Sequence, residues 1–175
     1  MGLSKAEIEE RVIKAAEFVG FSKELLNKSP FDLSGGQKRR CAIAGVMAMF
    51  PEVLILDEPT AGLDPKGRNE LTAMIENYRK ATGATVMIVS HSMDDMARNA
   101  DRVLVMNKGK LAMDGKVQDI FSQADKLIEM GLSVPASTSL VNRLSRTLPD
   151  MPSDVFTVED AAELLSSYYK RRKAL

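Results

Sequence analysis

Val53-Leu54-Ile55-Leu56-Asp57-Glu58 is the stretch on which the reading of this chain turns. Four apolar residues run without a polar break and end in two adjacent acids. A short continuous apolar run of this kind predicts a central strand of a parallel sheet, buried on both faces. Two carboxylates at its C-terminal end are costly to leave half-buried without a cation or another use. That end is also where ligands bind in open α/β sheets. The first acid suits a cation, and the second could accept a proton from an attacking water.

Downstream, Pro65 opens a helix in which Leu71, Met74, Ile75 and Tyr78 share one face, and Gly83 closes it. Thr85-Val86-Met87-Ile88-Val89 reads as a second strand ending at Ser90-His91, which gives His91 the same relative place as Asp57-Glu58. Ser92 to Ala100 reads as a short helix, and Asn107-Lys108-Gly109 as the turn of a hairpin between Arg102–Met106 and Lys110–Met113. Lys116–Gln123 adds another short helix. The order strand, helix, strand, helix, hairpin predicts an α/β domain with a parallel sheet and an antiparallel edge. Beyond about residue 124 two helices are expected, Ser139–Thr147 and Thr157–Arg172. The second is amphipathic through Val158, Ala161, Leu164, Leu165 and Tyr168, and ends in Lys170-Arg171-Arg172-Lys173. Basic residues there favour the helix dipole; contact with a partner or an anionic lipid is the other reading.

Upstream, Ser4 and Glu7 form a capping box, and Ile8, Val12, Ala15, Ala16 and Val19 predict an amphipathic helix over 4–19 that Gly20 ends. A loop-rich stretch through Pro30 leads to Leu33-Ser34-Gly35-Gly36-Gln37. Ser34 and Gln37 again have capping-box spacing. Two glycines weaken a helix start, and their use is to let another group approach the backbone closely. A helix N-terminus with bare N–H groups suits an anion, phosphate above all. A cap near a flexible turn is the plainer alternative, and the acids and His91 count against it. The helix continues from Gln37 to Phe50 with Ile43, Val46, Met47 and Phe50 inward, until Pro51. Cys41 reads as a small core residue.

At 175 residues there is enough chain for one domain with a real core. Lys plus Arg equals Asp plus Glu at 24 each, which argues against nucleic-acid binding driven by bulk charge. A single cysteine allows no internal disulfide and fits a reducing, cytoplasmic setting. No apolar run approaches membrane-spanning length.

Leu33–Gln37, Val53–Thr60, Ala61-Gly62-Leu63-Asp64 and Ser90-His91 resemble, in order and spacing, four motifs of the ABC ATPase family: the signature, the Walker B strand with its glutamate, the D-loop and the switch histidine. Ser29-Pro30-Phe31-Asp32, His91–Asp95 and Gly131-Leu132-Ser133-Val134-Pro135 narrow the resemblance to the ATPase subunit of energy-coupling factor importers, which take up vitamins or transition-metal ions. The resemblance implies a partial P-loop NTPase fold, a RecA-like parallel sheet. Residues 1–50 would form a helical signature subdomain, 51–123 the C-terminal half of the ATPase core, and 124–175 a helical appendage able to serve dimerisation. It implies ATP and magnesium as cofactors, held between two head-to-tail subunits in a homo- or heterodimer. Asp57 would hold magnesium through water, Glu58 would polarise the attacking water, and His91 would contact the γ-phosphate. Asp64 would couple the two sites, and Ser34, Gly35, Gly36 and Gln37 would meet the nucleotide of the other subunit. The further partners implied are membrane subunits on the inner face of the cell membrane, with no nucleic acid.

One departure is large. No G-x-x-x-x-G-K-[ST] occurs in the chain. Gly62 and Gly67 have the spacing, but Arg68 and Asn69 stand in place of the Lys and Ser/Thr, and Asp64 would repel phosphates. The expectation is therefore a C-terminal portion of an ABC ATPase, beginning inside the helical subdomain, with weak MgATP binding and no turnover alone. An incomplete sheet with an exposed apolar edge and face should follow. Two other functions fit less fully: a non-catalytic module lending its signature helix and tail to an intact ATPase, or a soluble ABC ATPase outside transport.

Overall fold

A computed structural model describes residues 2–148, 150–152 and 154–173. The chain divides into two compact units, Met1–Ser90 and His91–Leu175.

The first unit opens with α1 (Lys5–Phe18), where the Ser4–Glu7 capping box forms as expected. A four-residue helix α2 (Lys23–Leu26) and a 3-10 turn at Pro30–Asp32 occupy the stretch expected to be loop-rich. Then come α3 (Gly35–Met47), β1 (Val53–Asp57), α4 (Pro65–Thr82) and β2 (Thr85–Val89). β1 and β2 pair in parallel, Val53 opposite Thr85 through Asp57 opposite Val89. The crossover between them is α4, opened by Pro65 and ended at Gly83, whose φ of +70° satisfies the left-handed helix end.

One apolar core serves the whole unit. Ala15 and Val19 of the α1 end, Ile43 and Met47 of α3, Leu54 and Leu56 of β1, and Leu71, Ile75 and Tyr78 of α4 meet in it. The Phe18 ring meets the Tyr78 ring edge-on at 5.3 Å. Because β1 alternates, only Leu54 and Leu56 enter this core, while Val53 is 52% and Ile55 61% exposed. The strand is therefore buried on one face, a correction to the two-sided burial read from its composition. The helices cover one side of the β1–β2 pair; the other presents Val53, Ile55, Met87 and Val89 to solvent. Two further expectations fail for the same geometric reason. Cys41 and Val46 are exposed, because Ile43 and Met47 at i and i+4 define the inward stripe of α3 and neither residue shares it.

The second unit contains α5 (Met93–Asn99), β3 (Arg102–Asn107), β4 (Lys110–Lys116), α6 (Val117–Phe121), α7 (Ala124–Glu129), α8 (Ala136–Ser145) and α9 (Val158–Lys173). β3 and β4 are antiparallel, joined through Lys108 and Gly109, both with positive φ as a type I′ hairpin turn requires. They form a two-stranded sheet of their own rather than an edge added to β1–β2. Arg102 bridges to Asp114 across the hairpin at 2.6 Å and holds that carboxyl below its usual range. Val105, Val117, Ile120, Phe121, Leu127 and Phe156 form one core cluster. Val141, Met151, Val155 and Ala161 form another, with Leu164, Leu165 and Tyr168 of α9 against it. Val158, expected on that face, is exposed.

Candidate functional site

Ser34 has an extended backbone and its hydroxyl accepts from the Gln37 N–H at 3.3 Å, while Gln37 Oε1 accepts from the Ser34 N–H at 2.9 Å. Both halves of the capping box therefore close within the segment. Leu33 is buried beneath it. A Cβ added at Gly35 or Gly36 would meet nothing within 4 Å, so this helix start is open to an incoming group.

Asp57 ends β1 and is exposed; Glu58 follows in the turn beyond the strand and is partly buried. The Glu58 N–H still donates to the Val89 oxygen at 2.8 Å, so the acid pair is anchored beside the end of β2. The Glu58 backbone has a φ of +46°, a left-handed conformation that costs a residue with a Cβ about 1–2 kcal/mol. Strain at such a position persists only where surrounding contacts fix it. Arg39 of α3 supplies them. Its Nη2 donates to the Glu58 oxygen and its Nη1 to the Ala61 oxygen, both at 2.6 Å. Arg68 Nε donates to the Leu63 oxygen at 3.0 Å, and Arg40 pairs with Glu70 of α4.

Asp64 caps α4, its Oδ1 accepting from the Gly67 N–H at 2.8 Å. A Cβ at Gly67 would lie 2.8 Å from that oxygen. Position 67 is thus a glycine because the cap lies against it, and the P-loop-like spacing of Gly62 and Gly67 is explained without a phosphate. Gly36, Arg39, Leu63 and Asp64 line a groove of about 320 Å³ between the start of α3 and this turn.

Signature and acid turn are thus brought into one arrangement within the first unit. His91 is exposed at the start of the second unit, directly before the Ser92 cap of α5, where Ser92 Oγ accepts from the Asp95 N–H. Among the described residues, no group of three or more His, Cys, Asp or Glu could cage a metal. A single carboxylate at a strand end still suits magnesium, which keeps several waters and takes one or two carboxylates beside phosphate oxygens. Read from the sequence alone, Arg39 and Arg40 have no structural role, and Arg68 enters only as a departure from the P-loop pattern. Two adjacent arginines one turn after a glycine pair, ahead of a small and apolar run from Cys41 to Met47, were the available signal.

Comparison with known proteins places the chain among relatives of one kind. Residues 4–61 match the ABC transporter family. Within it, the chain is similar to the energy-coupling factor transporter ATP-binding protein EcfA2 of Caldanaerobacter subterraneus subsp. tengcongensis. The two are 50% identical over 173 residues, covering 99% of this chain and 60% of the relative. EcfA2 of Clostridium perfringens is 51% identical over 166 residues, 94% of this chain and 58% of the relative. The chain thus spans about 60% of the length of these curated relatives. Among solved structures, cbiO1 from Clostridium perfringens, part of the ABC transporter complex cbiONQ, superposes with a TM-score of 0.64 at 35% identity. That likeness covers 85% of this chain and 56% of cbiO1. A bacterial ABC transporter cassette solved as a dimer gives 0.55 at 27%, over 67% of this chain and 50% of the cassette.

Proposed function

We propose that this chain acts as the ATP-binding and ATP-hydrolysing subunit, in a portion without a P-loop, of an importer of the energy-coupling factor kind. The cargo is a vitamin or a transition-metal ion chosen by membrane subunits, and the chain works at the cytoplasmic face of the membrane. The observation that carries this reading is the self-contained capping box of Ser34 and Gln37 around two glycines open to solvent. A helix start that satisfies its own cap yet leaves bare amides at glycines is fitted to phosphates brought by another subunit. In this reading residues 1–50 supply the signature helix, 51–123 the C-terminal half of the ATPase core and 124–175 a helical extension for dimerisation.

Ser34, Gly35, Gly36 and Gln37 contact a nucleotide held by the second ATPase subunit, and Asp64 couples the two sites. Asp57 holds magnesium through water; the ion, when bound, neutralises phosphate charge. Glu58 orients and polarises the attacking water, and His91 contacts the γ-phosphate. Phosphoryl transfer depends chiefly on positioning and charge stabilisation. Without P-loop amides and lysine the chain by itself binds MgATP weakly and does not turn it over.

The test is capture of the purified chain by an intact, P-loop-bearing EcfA-type subunit with and without MgATP. Nucleotide-dependent association supports the reading, and equal capture in both arms refutes it. Isothermal titration of the chain alone showing micromolar MgATP affinity would overturn the claim of weak binding. The exposed Val53, Ile55, Met87 and Val89 face favours a second reading, a non-catalytic module that needs an intact ATPase to cover it. Turnover by the complex that survives Glu58→Gln unchanged would select that second reading.

A further inference from the structure

α5 begins two residues after His91 and packs along its length into the apolar core of the second unit. Met93, Met96, Ala97 and Ala100 pack into the core cluster that contains Phe156, with Leu132 and Val134 against the same cluster. At its first turn, Asp94 Oδ1 accepts from the Ala136 N–H at 3.0 Å. That amide is an orphan at the start of α8, whose own N-cap residue is Pro135 and provides no side-chain cap. Asp94 therefore caps a helix 42 residues further along the chain. Near the other end of α5, Arg98 lies 3.5 Å from Glu159 of α9. That pair is exposed and by itself worth little; the cap carries the attachment to α8.

We propose that Asp94 is a positioning residue that locks the segment bearing His91 to α8, so that the state of the C-terminal helices sets where His91 stands. What displaces or stabilises α8 and α9, subunit association included, then acts on the histidine without touching nucleotide. The importance of His91 to hydrolysis rests on the function proposed above; the attachment itself does not.

His91 is the single histidine of the chain, so its imidazole gives one unmistakable NMR signal. The decisive variant is Ala136→Pro, which deletes the donor from the far side of the contact. Proline is tolerated at the first helical position, and residue 135, at φ −50° and ψ 143°, already has the backbone required before a proline. The expected result, at constant pH and with no nucleotide, is a shift of the His91 Cε1–Hε1 signal beyond its line width. Amides of Asp94–Ala97 should exchange about fivefold faster, the equivalent of losing one helix cap. Val141 and Leu144 amides report that α8 has stayed folded. Asp114→Asn, which breaks a surface pair elsewhere in the unit, leaves the signal in place.

An unmoved His91 signal overturns the proposal, whether or not α8 survives. Should Ala136→Pro unfold α8, the pair Asp94→Ala and Asp94→Asn decides. A signal that moves in the alanine variant and returns with asparagine, which keeps the acceptor, supports the lock; equal signals in the two refute it. Failure of ATP-dependent capture would remove the proposed function and leave this result standing.

Discussion

Arg39 Nη2 donates to the main-chain oxygen of Glu58 at 2.6 Å, so the helix that begins at Ser34 grips the backbone of the acid turn. The second donation, to Ala61, spans the turn. Arg39→Gln should lose about 1.5–3 kcal/mol, the range for a hydrogen bond to a charged group. Arg39→Lys should recover little of it, since an ammonium cannot reproduce a fork with two fixed donors. Urea unfolding measures both, and hydrogen exchange at residues 58–64 should localise the loosening to the turn.

Glu58 offers a reversal of the usual rank. In ordinary backbone, alanine is favoured over glycine by roughly 0.5–1 kcal/mol, but the left-handed φ penalises a Cβ by about 1–2 kcal/mol. Glu58→Gly should therefore be more stable than Glu58→Ala by about 0.5–1 kcal/mol. The reverse order in urea melts would mean that the turn relaxes out of the left-handed region.

Neighbouring residues of β1 should behave oppositely. Leu54 is 1% exposed, and Leu54→Ala should cost about 2–5 kcal/mol. Ile55 is 61% exposed, and Ile55→Thr should stay within about 0.5 kcal/mol of the parent. Chemical denaturation of the pair tests whether the open face is open in solution.

These contrasts show where the sequence was legible. Caps at Ser4 and Ser34, and the helix stop at Gly83, depend on residues within one turn of each other, and all could be read locally. Both strands of β1–β2 were equally plain from their branched apolar residues. The face that β1 would bury was not, because apolar content reports that a strand belongs in a sheet and says nothing of whether both sides are covered. Cys41 was misplaced for a related reason: a small residue in a helix fits either face, and its neighbours Ile43 and Met47 decide. Arg39 escaped notice because its partners are main-chain oxygens, which no residue type announces. Within the site, the capping box was foreseen; what holds the acid turn to it was not.

Ser34 lets cap and phosphate contact be separated. Ser34→Ala should cost about 1 kcal/mol by losing the cap. Ser34→Asp keeps a good cap, so stability should hold, yet it places a negative charge where a phosphate would come. Capture by an intact ATPase subunit in MgATP should fail with the aspartate. Capture that persists at the parental level argues against phosphate at this helix start.

Glu76 links folding to acidity. Its carboxyl is lowered from the ordinary 4.5 to about 2, first by the hydrogen bond from Arg79 and further by Lys80. A carboxyl lowered on folding contributes fully above its unfolded value, and the contribution disappears as pH falls from about 4.5 toward 2. The difference in urea midpoint between the parent and Glu76→Gln should therefore be constant at neutral pH and shrink across that window. A gap that does not narrow refutes the linkage.

The two sheets of this chain also differ in how they are made. β3 and β4 close across Lys108 and Gly109, a contact that forms within microseconds in isolated hairpins. β1 meets β2 only after the whole of α4 has bridged them, and pairings between distant residues form slowly. During synthesis the slow pair emerges first and the fast hairpin second. Of the two strand pairs, the one that emerges first is thus the one that takes longer to form.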